Sequence, residues 1–420
     1  MNRLLHQLST LWFVLCAGSL SLIVPTSLIV SEAHAAAPVL PACAWPVVSN
    51  GENFLNVATP DTNTTYWLIP IDLRLWPSVI FRGIYPHARA FNFTSYTATG
   101  SLISTISDAQ IRPDAGSVNR FAANSPNTPQ TYTVAINGIG GTGNSLNVGR
   151  DGLVFVIYRV IVPDQGLSRA GGVDLPSVAI RGAGGTQQLH LCPFIQAELS
   201  LGAMIPILAA SGYSEAAGFL GTILTAANQR NTVASPCTPN QPARSSIVPF
   251  GPAPGTDFYP NPPTVYLQTS NYCLQPQRIM VIRGRALVYP NTYFGGSVFD
   301  PAFDGSVQVR YWSMCNNDAV VPYPVLACQA DFQTKLDHGQ SYTYVISEDA
   351  MPPPWLPRYA TWLPWGPPNV PITVIFRVIP QQNAAVPAGY QPQAVLCDRY
   401  LFETSGWQGC FTAAGLSAVD

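Results

Sequence analysis

Alternation of apolar and polar side chains over short segments predicts that most of this chain forms β-strands. Residues 66–75 (YWLIPIDLRL) alternate in their second half, and residues 91–94 (FNFT) alternate throughout. A side-chain period of two residues is typical of a strand with one buried face. Residues 154–162 (VFVIYRVIV) are apolar at almost every position, as expected for a central strand that is buried on both faces. The 40 prolines leave little room for long helices.

Residues 196–230 follow a different pattern, which predicts helices. This segment is rich in Ala, Leu and Ile, and its faces are almost uncharged. We expect Pro206 to interrupt it and Ser214 to cap a second helix that ends near Asn228. An uncharged helix is predicted to lie buried against a sheet or between domains. Residues 232–263 are rich in Pro, Ser and Asn, and they are predicted to form a linker.

The two sides of this segment carry similar landmarks in the same order. An Arg-Gly pair, an aromatic segment with an arginine, a Tyr-Thr segment and an apolar strand with a central arginine begin at residues 82, 89, 132 and 156, and again at residues 283, 309, 342 and 374. The spacings differ, so the second side needs loop insertions.

The repeated order predicts a mainly β fold of two related β-sandwich (jelly-roll-like) domains with a short helical segment between them. The predicted divisions are a signal segment at 1–35, a first β domain at 36–195, the helical segment and linker at 196–263, and a second β domain at 264–420.

The N-terminus predicts export. Arg3 precedes an almost wholly apolar or small stretch at residues 11–30, and Ala33-His34-Ala35 fits a signal-peptidase site before Ala36. The alternative is a retained anchor, because about twenty apolar residues can span a bilayer. Cleavage would leave no transmembrane segment and would place the protein in the periplasm, the cell envelope or the medium.

Cysteine usage agrees with export. Loss of Cys16 with the signal leaves eight cysteines, an even number that predicts disulfides in an oxidising compartment. Proximity and the predicted domain ends suggest the pairs Cys315–Cys328, Cys397–Cys410, Cys43–Cys192 and Cys237–Cys273. No CxxC pair or zinc-finger spacing occurs, so we expect neither a metal nor a cofactor.

Charge narrows the range of partners. Only 10% of the residues are charged and the net charge is −2, which gives no electrostatic basis for binding nucleic acid. The remaining partners are a glycan, a small apolar molecule or another envelope protein.

The strongest catalytic candidate is His87, within YPHAR. As a general base it would act with Arg89 and with Asp61 or Asp114 as its orienting carboxylate. The alternative is that His87 only packs a loop beside Tyr85. A G-x-S-x-G nucleophile motif is absent from the sequence.

Tryptophans give a second candidate site. Trp355, Trp362 and Trp365 lie in the segment MPPPWLPRYATWLPWGPP, and exposed rings there would stack on sugars or contact a partner chain. The alternative is a packed, proline-rich crossover whose rings cover a sheet edge.

Several motifs resemble an uncharacterised family of secreted bacterial proteins, over most of the mature chain: PDTNTTYWLIPIDL, RGIYPHARAFNFTSY, VIYRVIVPDQGLSRAGGVDLP, VQVRYWSMCNN and TWLPWGPP. More distantly, the chain is similar to a tandem pair of bacterial domains of unknown function. That pair has an NDTLY-like motif, which matches residues 63–66, and an NWLP motif, which matches residues 361–364 with Thr361 in place of Asn. The resemblance implies paired β-rich domains and transfers no catalytic residue.

Two functions are therefore expected. The first is a secreted or envelope-associated binding or structural protein. The alternative is an extracytoplasmic hydrolase whose site lies between the two β domains. A carboxylate within hydrogen-bond reach of His87 in a concave site would favour the enzyme, and an exposed aromatic strip would favour the binder.

Overall fold

Twenty strands in four sheets and three α-helices build the part of the chain that the structure describes. The structure is a computed structural model. It describes residues 40–52, 55–137, 143–149, 152–193, 197–229, 237, 245–253, 259–273, 275–298, 307–381, 386–387 and 389–416, with the backbone alone at 197–201 and 227. The predicted signal segment 1–35 lies outside these residues. Residues Pro38–Asp420 form one compact unit.

The first half contains two five-stranded sheets. Sheet 1 has the order β1 (Val47–Ser49), β2 (Thr64–Asp72), β8 (Leu153–Pro163), β4 (Ala88–Thr97) and β5 (Leu102–Ser107). Sheet 2 has the order β10 (Gly185–Leu189), β9 (Ser177–Gly182), β3 (Ser78–Ile84), β6 (Thr131–Ile136) and β7 (Ser145–Leu146).

The second half also contains two five-stranded sheets. Sheet 3 has the order β12 (Phe250–Pro252), β13 (Val265–Thr269), β19 (Ile372–Pro380), β15 (Val309–Asp318) and β16 (Val325–Ala330). Sheet 4 has the order β11 (Ser246–Val248), β20 (Gln393–Asp398), β14 (Arg278–Arg285), β17 (Ser341–Ser347) and β18 (Ala360–Pro364).

The two halves have matching sheets, as the predicted fold class requires. The repeated landmarks lie on corresponding strands: β3 and β14, β4 and β15, β6 and β17, β8 and β19. Among the described strands, all pairs are antiparallel except β6–β7 and β17–β18, which are parallel at the same edge of each half. Each half buries its own aromatic core, around Phe93 and Tyr158 in the first and around Trp312 and Phe376 in the second.

Alternation along the central strands separates two environments. In β8, Val156, Tyr158 and Val160 point into the core of the first half, whereas Ile157 and Arg159 lie on the opposite face of the sheet. The outer face is also covered, by helices and by the other half. This double coverage explains why residues 154–162 carry so few polar side chains.

The helical segment forms α1 (Ala197–Ala210) and α2 (Ser214–Gln229). Met204, Leu208 and Leu220 pack on the outer face of sheet 1 against Tyr96 and Phe155. The prediction that Pro206 interrupts the helix was wrong, because Pro206 lies inside α1 on its exposed side. One proline removes a single backbone hydrogen bond, and packing of the helix compensates for it.

Other elements were not predicted. Strands β11 and β12 lie within the predicted linker and pair with β20 and β13, so that segment completes both sheets of the second half. The C-terminal helix α3 (Arg399–Ala413) packs on sheet 4 and has a kink at Gly406. Asp398 caps α3 by accepting hydrogen bonds from the backbone N–H groups of Tyr400 and Leu401.

Four disulfides connect eight of the nine cysteines: Cys43–Cys192, Cys237–Cys273, Cys315–Cys328 and Cys397–Cys410. These are the pairs that the sequence suggests. The first closes 149 residues and the last fixes α3 to β20. Among the helices described, none combines the length and the apolar character that crossing a bilayer requires.

Candidate ligand-binding cavity between the two halves

A cavity of about 540 Å³ lies where the outer face of sheet 1 meets the outer face of sheet 3. Its walls come from alternate positions on corresponding strands. Thr64, Tyr66 and Leu68 of β2 lie on one wall, and Tyr266 and Gln268 of β13 lie on the other. The side chains of β8 and β19 that line the cavity are those that point away from the hydrophobic core of their own half. The cavity is therefore a consequence of packing two sandwiches together through their outer faces.

Two buried arginines occupy corresponding positions in the cavity. Arg159 of β8 is directly opposite Tyr66 in the strand register, and Arg377 of β19 is directly opposite Tyr266. Arg159 is 2% exposed and Arg377 is 4% exposed. Each guanidinium lies over its tyrosine ring, at 5.5 Å for Arg159 and 5.9 Å for Arg377.

Neither arginine forms an ion pair with a described carboxylate. Arg159 donates to the Tyr96 hydroxyl at 2.6 Å and to the Tyr259 carbonyl at 3.0 Å, while its buried Nε has no partner. Arg377 donates to the Thr59 carbonyl at 2.5 Å. Since these acceptors are neutral, both arginines keep their positive charge uncompensated by a direct ion pair.

Among the residues that the structure describes, one carboxylate lines the cavity. Asp61 is 2% exposed and accepts hydrogen bonds from the Tyr311 hydroxyl at 2.8 Å and the Ser313 hydroxyl at 2.6 Å. Asn261 takes the corresponding position in the second half, and its side-chain oxygen accepts a hydrogen bond from the Asn92 amide at 2.9 Å. The described lining thus has two buried guanidinium groups and one buried carboxylate, which leaves a net positive charge.

Asp61 also lies beside Cys315 and Cys328, close enough for the three side chains to surround a metal ion. Both sulfur atoms are joined in a disulfide, however. A metal-binding thiolate is therefore not present in the oxidised protein, and the cluster is read as part of the packing between the halves.

Tyr66 is a neutral hydrogen-bonding group at the cavity wall. Burial and the nearby Asp61 carboxylate together raise the pKa of Tyr66 to about 12, although Arg377 and Arg159 oppose the shift. The phenol therefore keeps its proton at physiological pH. It can donate a hydrogen bond to an acceptor in the cavity.

The rest of the lining is largely apolar. Sheet 1 contributes Leu68 and Ile157, sheet 3 contributes Ile375, and α2 contributes Leu220 and Ile223 from one side. Apolar walls around a few converging polar groups are typical of a site for a small molecule.

The residues predicted for catalysis do not converge. His87 lies in a separate polar cleft, where its Nδ1 is 4.0 Å from Asp164 Oδ2, beyond hydrogen-bond distance. Burial and the nearby Arg120 lower the pKa of His87. Asp61 lines the inter-half cavity instead, and Asp114 lines neither site.

Arg89, which was also predicted to be catalytic, instead connects the two halves through an ion pair. Its side chain is fully buried and pairs with Asp331 of the other half at 2.8 Å. It also donates to the Thr292 hydroxyl at 2.9 Å. The corresponding pair, Arg310 with Asp108, crosses the interface in the opposite direction.

The predicted tryptophans do not form an exposed strip. Trp365 is 1% exposed in the core of the second half, and Trp362 donates from its indole N–H to the Ser347 hydroxyl at 2.9 Å. Trp355 packs on Phe402 of α3, with ring centroids 6.1 Å apart. Their positions match the alternative of a packed crossover.

Sequence reasoning did not identify Arg159 and Arg377 as site residues. A signal was available, because each arginine interrupts an otherwise apolar central strand, and the interruption occurs in both halves. A charged residue in the middle of a doubly buried strand requires a local reason such as a partner or a ligand.

Comparison with known proteins shows the fold and gives no function. A putative uncharacterized protein from Burkholderia cenocepacia is similar, with a TM-score of 0.51 and 12% identity over 85% of this chain and 82% of the other. A protein from Vibrio parahaemolyticus has a TM-score of 0.39 and 12% identity, over 80% of this chain and 89% of the other. No family model matches, and no curated protein matches significantly in sequence.

Proposed function

We propose that this protein binds a small, mostly apolar molecule with one anionic group in the cavity between its halves. The observation that carries the proposal is the pair of buried arginines, which have no carboxylate partner among the described residues and face a cavity with largely apolar walls. A carboxylate or a similar group placed between them would compensate their charge and accept strong hydrogen bonds. The apolar part of the ligand would lie against Leu68, Ile157 and Ile223.

Binding is favoured over hydrolysis by the composition of the walls. No histidine is among the described residues that line the cavity, and the Asp61 carboxylate is engaged by two hydroxyl groups. Hydrolysis through a side-chain nucleophile needs a general base beside it, and the described lining offers no free one. The lining supplies charge complementarity and apolar contact instead.

The test compares carboxylates with alcohols of the same shape. Isothermal titration with decanoate and decanol, and with 2-naphthoate and 2-naphthol, should show that the carboxylate of each pair binds roughly tenfold or more tightly. Arg159→Met and Arg377→Met should remove this preference. The exposed Arg112 offers a matched control, and Arg112→Met should bind like the unmodified protein.

A further variant separates loss of the site from loss of the fold. Ile223→Trp adds volume at a half-buried position of α2 and should block binding with little change in melting temperature. Equal binding of acids and alcohols, or undiminished binding by both arginine variants, would contradict the proposal.

We further propose that the protein works outside the cytoplasm and belongs to the tandem-domain family that its motifs resemble. Four disulfides support the first part, since such bonds persist in oxidising compartments. The matching strand orders of the two halves support the second. Maleimide labelling of unreduced protein recovered from its native source should detect no free thiol in the mature chain.

A further inference from the structure

A second site is formed by the polar cleft around His87, which has a volume of about 320 Å³. The loop at residues 123–130 forms one side, and Gly295, Gly296 and Ser297 of the second half form another. His87 lies just before β4 and Asp164 lies just after β8, so the ends of two adjacent strands bring them together.

Asp164 is an unsatisfied acceptor at this cleft. Its side chain is 21% exposed, and its Oδ1 is buried without a hydrogen-bond partner among the described residues. Its Oδ2 comes no closer than 4.0 Å to His87 Nδ1. Burial raises the pKa of Asp164, although the charges of Arg120 and Arg89 lower it.

Arg120 is an unsatisfied donor at the same cleft. It is half-buried, its Nε is buried without a partner, and it forms no ion pair with any described residue. Asp164 and Arg120 are near enough for their charges to interact. They leave a donor and an acceptor side by side, both lining the cleft.

We propose that this cleft binds a hydroxyl-rich ligand, such as the terminal sugar unit of a glycan. Each sugar hydroxyl both donates and accepts, so neighbouring hydroxyls can donate to Asp164 and accept from Arg120 at the same time. Neutral His87 serves either function. The balance of one acid and one base does not favour an anion, and the exposed amides of Asn124 and Asn127 extend the polar lining.

This cleft is separate from the inter-half cavity, since the described linings of the two share no residue, so each proposal stands or fails alone. The probes are glucose, galactose, mannose, N-acetylglucosamine and rhamnose, tested by saturation-transfer NMR and by titration calorimetry. Glycine and glutamine are included because a zwitterion would also engage an acid and a base. We expect at least one sugar to bind and neither amino acid to do so.

Asp164→Ala and Arg120→Met should each weaken sugar binding roughly 10- to 100-fold, the effect of losing a hydrogen bond to a charged group. Asp164→Asn keeps the shape of the side chain and should retain part of the affinity. The exposed residues Asp174 and Arg181 supply matched controls, so Asp174→Ala and Arg181→Met should bind normally. Binding of the amino acids in place of sugars, or of no probe, would overturn the proposal, as would normal binding by Asp164→Ala.

Discussion

Arg89 and Asp331 are both fully buried, and together they connect the two halves across the interface. Burial raises the pKa of Asp331 to about 6. The charge and the hydrogen bond of Arg89 oppose this shift, as do hydrogen bonds from the backbone N–H groups of Trp312 and Phe332. The carboxylate is therefore ionised at neutral pH. The buried negative charge of Asp331 is stabilised by Arg89, because no water reaches the carboxylate to solvate it.

Removal of Arg89 alone should be strongly destabilising. Arg89→Met leaves Asp331 as an uncompensated buried charge, and we expect a loss of about 3–5 kcal/mol in the free energy of unfolding. The double variant Arg89→Met/Asp331→Leu should recover most of this loss, since it buries no charge. Urea titration of both variants measures the difference.

The control for this prediction is a pair at the surface. Arg399 and Glu403 are about one-third exposed on α3, and Arg399→Met should change stability by less than about 1 kcal/mol. If the Arg89 single and double variants were equally unstable, the buried-charge explanation would be wrong.

His87 gives a prediction about pH. Its pKa lies below the ordinary value of 6.5 because burial and Arg120 oppose protonation, and Asp164 at 4.0 Å does not outweigh them. The unfolded chain therefore binds this proton more tightly than the folded one. The contribution of His87 to stability is complete above about pH 6.5 and declines as the pH falls below it.

The melting temperature of the unmodified protein should accordingly fall relative to His87→Gln between pH 7.5 and pH 5.5. Asp164 stays in both proteins, so its own titration largely cancels in the comparison. Parallel melting curves over this range would show that His87 titrates alike in the folded and unfolded chain.

At the scale of elements, the sequence was informative where strands are long and buried. The landmark segments became β3, β4, β6 and β8 and their counterparts, because apolar patterning and burial agree there. Strands β11 and β12 have three residues each, and the Pro and Gly of β12 are tolerated at a sheet edge. The pairing of such short strands is determined by the partner strand, and the sequence pattern of the short strand itself carries no information about that partner.

Helix α3 was missed for a related reason. Its segment, RYLFETSGWQGCFTA, mixes Thr, Ser and Gly with scattered aromatics and has no clear apolar stripe. Packing against sheet 4 and the Cys397–Cys410 bond hold it in place. The candidate site was missed because it depends on which sheets face each other, and that arrangement is tertiary.

The correspondence of β3 and β14 can be tested at one glycine in each. A Cβ added at Gly83 would collide with the ring of Tyr132, and one added at Gly284 would collide with the ring of Tyr342. Gly83→Ala and Gly284→Ala should each lower stability by about 1–3 kcal/mol through overpacking. Thermal denaturation should also show partial rescue when Tyr132→Phe or Tyr342→Phe removes the colliding hydroxyl in the same half.

A matched control is Gly251→Ala, at a site in β12 where an added Cβ meets nothing within 4 Å. It should be close to neutral. A large effect in only one half would contradict the structural correspondence of the two positions.

Across the whole molecule, the disulfides should differ in effect according to the length of chain they close. Cys43–Cys192 closes 149 residues and Cys397–Cys410 closes 13. Loop-closure entropy predicts a loss of about 5 kcal/mol when the first is replaced by two serines and about 3 kcal/mol for the second. Denaturant titration of the two double variants should place them in that order, and the reverse order would contradict the entropic account.

Asp61 and Asn261 line the cavity at corresponding positions of the two halves, but only Asp61 is charged, so the two sides of the cavity are not equivalent. Two identical subunits meeting about an axis would present every wall group twice, so a bound molecule could turn end for end at no penalty. A single polypeptide with two divergent modules escapes that constraint: it keeps an acid on one side and an amide on the other. A ligand whose two ends differ is then bound in one orientation. Selectivity for that ligand can evolve by substitutions in one half while the other half is unchanged.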